Sequence, residues 1–347
     1  MKTDDLRIVK THPLIAPAIL AEEIPLTEAA AKKVYESRRT IEAILDGKDA
    51  RLLVVVGPCS IHDTTAALEY ADRLRQVSDA LADALLIVMR VYFEKPRTVV
   101  GWKGLINDPD LDESYHINKG LRLARQLLAD ILALGVPAGT EFLDTTFGQF
   151  YTDLISWGAI GARTAESQIH RELASGLSMP VGIKNRTDGN VKVAVDAIQA
   201  ARCRHLFPSL TKEGAPAILE TTGNPYAHLV LRGGSETGPN FDSDSIDAAV
   251  QLLRAAALPE IVMVDCSHAN SDKDAARQVD VAGAIMKNLK SSPVRALMIE
   301  SHLVGGRQNS PVRYGQSITD ACLGFDETKD LLHRLADSIG SPRTVKS

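Results

Sequence analysis

Three cations crowd the stretch at residues 90–100, RVYFEKPRTVV: Arg90, Lys95 and Arg97. The apolar run before them, Leu85-Leu86-Ile87-Val88-Met89, reads as a buried strand. Pro96 denies the following segment a helix and makes it an extended loop. Fixed cations at the mouth of a buried strand ask for a polyanion, and arginine's planar fork suits a carboxylate or a phosphate. Strand-end lysines and arginines are commonly just solvated, so the reading depends on what other strands deliver. Arg163, Lys184 and Arg232 follow or end three further apolar runs. Together these cations suffice for two phosphate groups and a carboxylate.

A second set combines thiolate, imidazole and carboxylate donors: Cys59 in GPCSIH, His268 in DCSH, Glu300 in IESH, and Asp320. That mixture suits a divalent transition metal. Taken singly, Cys59 is a small buried hydrophobe, His268 a core histidine, and Glu300 or Asp320 a cap or salt-bridge partner. Their common position after strand-like runs favours the metal.

The elements that must carry these groups alternate along the chain. Strand-like runs are predicted at 52–56, 86–91, 137–142, 159–162, 181–184, 228–231, 261–265 and 296–300. Helical periodicity follows them at 64–85, 118–134, 149–157, 166–177, 191–201, 245–257, 274–289 and 327–339. Strands joined by crossover helices lie parallel, so the fold class is α/β, a (β/α)8 TIM barrel with catalytic groups at the carboxyl ends of its strands. A doubly wound open sheet is the alternative, but no GxGxxG turn follows the first run. Residues 1–50 stand outside the alternation, a proline-broken arm (Pro13, Pro17, Pro25) with a helix over 27–45 that Thr27 can cap. That helix either covers the barrel floor or belongs to a regulatory or oligomerisation arm. Residues 205–222 read as a hairpin inserted before the sixth barrel strand. The expected organisation is one catalytic domain over 1–347.

The formal net charge of −5 argues against a general nucleic-acid binder. No apolar run reaches the ~20 residues of a membrane helix, and the polar amino terminus lacks a signal peptide's apolar core. The cysteines follow no CxxC or disulfide spacing, which points to a reducing cytoplasm.

The chain resembles the microbial type I 3-deoxy-D-arabino-heptulosonate-7-phosphate (DAHP) synthases over nearly its whole length. The motifs that carry the resemblance are RLLVVVGPCSIHD (51–63), VMRVYFEKPRTVVGWKGLINDP (88–109), EFLD (141–144), SWGAIGART (156–164), LRGG (231–234), DCSHAN (265–270), IESHL (299–303) and YGQSITDACLGF (314–325). The KPRT loop resembles these enzymes and not the related octulosonate-phosphate synthases. The resemblance implies a transferase that condenses phosphoenolpyruvate with erythrose 4-phosphate at the head of the shikimate pathway. It implies a divalent metal (Mn, Fe, Co or Zn) on Cys59, His268, Glu300 and Asp320. Phosphoenolpyruvate falls to Arg90, Lys95, Arg163, Lys184 and Arg232, and erythrose 4-phosphate to Arg97 and Thr98, with Lys95 as a proton donor. An aromatic amino-acid effector site is implied at Asp144, Gly148, Gln149, Leu177, Ser178, Phe207 and Leu219. Gly148, where phenylalanine- and tyrosine-sensitive forms usually carry proline, inclines the pattern to the tryptophan-sensitive form. A homodimer or homotetramer is expected.

Two readings compete with an active synthase: a paralogue acting on another sugar aldehyde, and a silent barrel that only binds a ligand. The KPRT loop opposes the first, and the complete set of cations and metal donors opposes the second. One departure from the family pattern stands in KNRTDG, where Arg186 replaces a usual glycine. A positive φ at that position would cost roughly 1 kcal/mol or more; an ordinary φ would leave an added cation beside the site.

Overall fold

The computed structural model describes residues 1–97, 99–289 and 292–340. After α1 (Pro17–Glu23) and α2 (Glu28–Leu45), β1 (Leu52–Gly57), α3 (Thr64–Ala80), β2 (Leu85–Arg90), α4 (Ile117–Ala133), β3 (Ala138–Glu141) and β4 (Trp157–Ile160) begin the alternation. It continues with α5 (Gln168–Gly176), β5 (Val181–Lys184) and α6 (Lys192–Ala201), then β6 (Leu206–Leu210) and β7 (Pro216–Glu220). The chain then runs through β8 (Ala227–Leu231), α7 (Ser243–Ala255), β9 (Val262–Asp265), α8 (Arg277–Met286) and β10 (Val294–Glu300). It ends with β11 (Val304–Arg307), β12 (Gln316–Ser317) and α9 (Phe325–Ile339). A closed barrel forms in the order β1-β10-β9-β8-β5-β4-β3-β2, and all its pairings are parallel. This is the (β/α)8 fold. The outlier β6–β7 is the antiparallel hairpin, with Phe207 opposite Leu219.

Inner side chains such as Leu53, Val55, Val88, Trp157, Met263 and Met298 fill the barrel. Ile41, Ile44 and Leu45 of α2 join that same cluster, so α2 closes the floor. Thr27 caps α2 by accepting the N–H of Ala30. Helices α3 to α9 bury their apolar faces against the outer strand surface.

Two local expectations need correction. The fourth strand is Trp157–Ile160, two residues before the predicted run. In place of a helix at 149–157 the chain makes two 3-10 turns, Phe147–Phe150 and Thr152–Leu154. Asp144 starts the first by accepting the N–H groups of Thr146 and Phe147. Phe147, Phe150 and Tyr151 are all buried, so the turn is set by tertiary packing that helical periodicity does not report.

Candidate active site

Five barrel strands end in a charged residue, Arg90, Glu141, Lys184, Asp265 and Glu300, and β1, β4 and β8 run on into Cys59, Arg163 and Arg232; the parallel order turns those ends to one face. There a cavity of about 720 Å3 is lined by Cys59, Arg90, Lys95, Arg97, Arg163, Lys184, Arg232, His268, Glu300 and Asp320. Sequence positions more than two hundred residues apart thus share one wall. Thr98 lies outside the described residues. Gly57 at the end of β1 has φ +153°, and a Cβ there would sit 2.9 Å from the Arg90 carbonyl oxygen, so only glycine lets β1 and β2 meet at this point.

The anionic side of the wall is compact. Donor atoms of Cys59, Glu300 and Asp320 lie within 4.8 Å of one another. His268 stands just beyond, with Nε2 4.0 Å from Glu300 Oε1. Its Nδ1 is 2.9 Å from Asp265 Oδ2, which leaves Nε2 for a ligand. Lys95 Nζ bridges the cluster, 2.7 Å from Asp320 Oδ2 and 3.0 Å from Cys59 Sγ. Burial, together with the Glu300 carboxylate, pushes the Cys59 thiol up to about 11 despite Lys95. Burial opposes the Asp320 anion as well, but the Lys95 ammonium holds it far below the usual carboxylate range. A thiol, an imidazole and two carboxylates gathered around a side-chain ammonium fit a divalent cation in charge and in donor type.

The cationic side differs in how much of it is already paired. Arg90 is fully buried, lies 4.0 Å over the Tyr92 ring and donates to Glu300 Oε1 at 3.2 Å. Lys184 donates to Asp265 at 2.8 Å. Arg97 is tied to its own loop through Trp102 O at 2.7 Å. Arg163, by contrast, has no side-chain hydrogen bond or ion pair to any described residue. Arg232 Nε is buried without a partner, and its pKa is lowered by burial, opposed by Asp265 and reinforced by the charge of Arg163. Two neighbouring guanidinium groups with no acid between them await an anion.

Three acids in or behind this wall were given no role from the sequence. Asp265, completely buried, joins Lys184 to His268. Glu94 lines the cavity while accepting the N–H of Asp144 at 3.1 Å. Glu141 lines it with no side-chain hydrogen bond to a described residue; Gly161 makes room for it, since a Cβ there would lie 2.1 Å from Glu141 Oε1. Glu141 and Asp265 were visible as strand-end acids inside quoted motifs. Nothing in the sequence marked Glu94.

The residues predicted to line an effector site lie on the flank. Lys212 at the hairpin tip donates from Nζ to Gln149 O at 2.6 Å and accepts the N–H of Ala18 in α1 at 2.7 Å. Ser175 of α5 and Thr221 after β7 share a hydrogen bond of 2.8 Å. Leu177, next to Ser178 beyond α5, has its carbonyl bound by Asn224 at 3.2 Å. Gly148 is buried, with a virtual Cβ 3.3 Å from the Phe142 ring. Arm, 3-10 turn, hairpin and the end of α5 are thus joined.

The signature of the DAHP synthetase I family matches residues 23–333. The Trp-sensitive phospho-2-dehydro-3-deoxyheptonate aldolase of Escherichia coli (strain K12) is 54% identical over 344 residues, 97% of this chain and 98% of the relative. The Phe-sensitive enzyme of the same strain is 53% identical over 348 residues, 99% of each. A solved phospho-2-dehydro-3-deoxyheptonate aldolase from Francisella tularensis SCHU S4 superposes with a TM-score of 0.94 at 51% identity, covering 95% of this chain and 98% of that one. The chain belongs to the DAHP synthetase I family, enzymes that join phosphoenolpyruvate to erythrose 4-phosphate and release phosphate in the first committed step of the shikimate pathway.

Proposed function

We propose that the cavity described above performs this condensation, with Arg163 and Arg232 as the core of the phosphoenolpyruvate subsite. The observation that carries the assignment is that these two guanidinium groups share the cavity without an acidic partner. Lys184, Arg90 and Lys95 complete the subsite, and Arg97 with Thr98 receives the sugar phosphate. A divalent metal held by Cys59, His268, Glu300 and Asp320 would supply Lewis acidity toward the sugar's aldehyde; Mn, Fe, Co and Zn all suit this donor set.

The protein groups divide the remaining work. Fixed cations orient phosphoenolpyruvate so that its methylene carbon faces the aldehyde carbon, and the new carbon–carbon bond forms between them. Lys95 carries a proton at Nζ for the oxygen that becomes the new hydroxyl. Water adds to the middle carbon of the former enolpyruvate, and Glu141, free of other donors, takes its proton. Phosphate then leaves from that carbon by C–O cleavage, held by Arg163 and Arg232, while the hydroxyl formed from the water gives its proton to the departing phosphate and becomes the keto oxygen.

The test is phosphate release on mixing both substrates with metal-replete protein, in wild type and in Arg163→Ala. Loss of a charged donor from an enclosed anion site costs about 2–5 kcal/mol in kcat/KM. Unchanged kinetics in Arg163→Ala would place phosphoenolpyruvate elsewhere.

The flank joining α1, the hairpin and the 3-10 turn is assigned an aromatic amino acid as effector, with tryptophan preferred because position 148 is glycine and a relative is Trp-sensitive. Titrating tryptophan, tyrosine and phenylalanine at subsaturating substrate, in wild type and Gly148→Pro, checks this; inhibition by the smaller rings alone would reverse the preference. Exposed apolar side chains on the arm (Leu6, Ile8, Val9) and on the hairpin (Leu206, Ile218) accord with a homodimer or homotetramer. A reducing cytoplasm suits a free thiol ligand. Among the described residues no helix is long and apolar enough to cross a membrane.

A further inference from the structure

One carboxylate oxygen beneath the cavity serves two masters. Asp265 ends β9 fully buried, and its Oδ2 lies 2.8 Å from Lys184 Nζ and 2.9 Å from His268 Nδ1. Its other oxygen, Oδ1, accepts from Ser267 N at 3.0 Å and Ser267 Oγ at 2.7 Å. With both oxygens engaged, the carboxylate cannot turn away from either partner without losing hydrogen bonds. Lys184 ends β5, and β8 lies between β5 and β9 in the barrel, so the contact spans one strand. His268 has φ +56°, a conformation that a non-glycine residue keeps only when its surroundings fix it. Asp265 and Ser267 supply contacts on the Nδ1 side of its ring, Ser267 Oγ at 2.7 Å.

We propose that Asp265 is a positioning residue that couples the two halves of the site: through one shared oxygen, metal ligation at His268 and anion binding at Lys184 strengthen each other. The proposal rests on the assignments of His268 to the metal and Lys184 to phosphoenolpyruvate. Ligation through Nε2 makes the Nδ1–H a stronger donor and draws Oδ2 toward the imidazole. The hold of Oδ2 on the Lys184 ammonium weakens, and Nζ is freer to bond an anion in the cavity. In the other direction, an anion that engages Nζ leaves Oδ2 to the imidazole and makes Nε2 the better ligand. Linkage requires the two effects to be equal. No proton is transferred and no covalent bond changes. Direct attraction between metal and anion acts with or without Asp265, so the coupling has to be compared in the presence and absence of its charge.

The experiment is calorimetric titration of phosphoenolpyruvate into metal-free and Mn2+-loaded protein, in wild type and Asp265→Asn. The ratio of the two dissociation constants is the coupling factor. It is expected to fall about fivefold or more in the variant, at the lower end of ordinary coupling strengths. A ratio equal to that of the wild type, with both ligands still binding, overturns the proposal. A second measurement does not depend on the folding of that variant. Lys184→Met leaves Asp265 to His268 alone, so Mn2+ should bind about fivefold more tightly with no phosphoenolpyruvate present. Arg163→Met removes a cation from the same cavity that does not touch Asp265, and should change Mn2+ affinity less than about twofold. Equal effects of these two substitutions would reduce the coupling to general charge and sink the proposal. Failure of the underlying assignment shows differently: phosphoenolpyruvate affinity in metal-free protein would then be unchanged in both Arg163→Met and Lys184→Met.

Discussion

Glu94 and Lys95 are adjacent in the chain and opposite in electrostatic fate. Lys95 is held charged by the acids around it, above all Cys59 and Asp320 against the cost of burial. Glu94 has no cation partner; burial, then the nearby charge of Asp144, pushes its pKa up to about 8. An unfolded glutamate titrates near ~4.3. Between that value and about 8 the folded chain retains a proton that the unfolded chain releases, so this residue makes stability fall as pH rises. Glu94→Gln keeps an acceptor for the Asp144 N–H and removes the charge. Denaturant titration should show the variant more stable than wild type by roughly 2–4 kcal/mol at pH 8.5, with the gain nearly gone at pH 4. An equal gain at both values would mean that charge is not the cause. Arg186 bears on the opposite point. Its φ is not positive, and its guanidinium pairs with Glu166 at 3.0 Å and Asp188 at 2.9 Å. It brings neither the strain nor the free cation that the sequence left open, and half-exposed pairs of this kind contribute about 0–1 kcal/mol. Cys59, His268 and the strand-end cations were legible because a charge or thiol at the end of an apolar run stands out. Glu94 was not, and Asp265 was visible only as a strand-end acid without a role, because what they do depends on Asp144 and Lys184, groups distant along the chain.

At the level of elements, continuous apolar runs located the barrel strands and 3.6-residue periodicity most of the helices, since the strands are buried on both faces and the helices on one. Where packing comes from several directions the pattern blurs, and the 3-10 turns at 147–154 and the short α1 were not foreseen. One side chain organises that region. Arg125 of α4 is buried and donates to Ile24 O at the end of α1, to Phe150 O, and to both oxygens of Asp153, all at 2.8 Å. Arm, turn and α4 thus converge on one guanidinium. Arg125→Leu leaves two carbonyl groups and a partly buried carboxylate without their donor, a loss of roughly 2–4 kcal/mol. Urea unfolding measures that loss. Amide exchange should quicken in α1 and at 147–154 while the barrel strands keep their protection. Uniform quickening across β1–β5 would show instead that Arg125 supports the barrel as a whole.

The molecule as a whole carries a net charge of −5, yet part of its cavity wall presents Arg163 and Arg232 with no acidic partner among the described residues, and another part the cluster of Cys59, His268, Glu300 and Asp320 with Lys95 among them. The closed strand order makes this separation possible, because strands β1, β9 and β10, which carry or precede the thiol, imidazole and Glu300, are neighbours in the barrel. Each charged wall is costly when unneutralised, so ligands that bind only the folded chain should stabilise it by mass action. A metal at a hundredfold excess over its dissociation constant contributes about 2.7 kcal/mol. In a chain of this size that corresponds to a rise of several degrees in the thermal midpoint. The expected series is lowest Tm in EDTA, an increment on adding Mn2+, Co2+ or Zn2+, and a second increment with phosphoenolpyruvate. Cys59→Ala should lose most of the metal increment and keep a phosphoenolpyruvate increment reduced only by the lost coupling; Arg163→Ala should lose most of the phosphoenolpyruvate increment and keep that of the metal. Scanning calorimetry of the three proteins separates the two walls. A Cys59→Ala protein that responds to metal as the wild type does would remove the thiol from the ligand set and leave the metal to the imidazole and carboxylates.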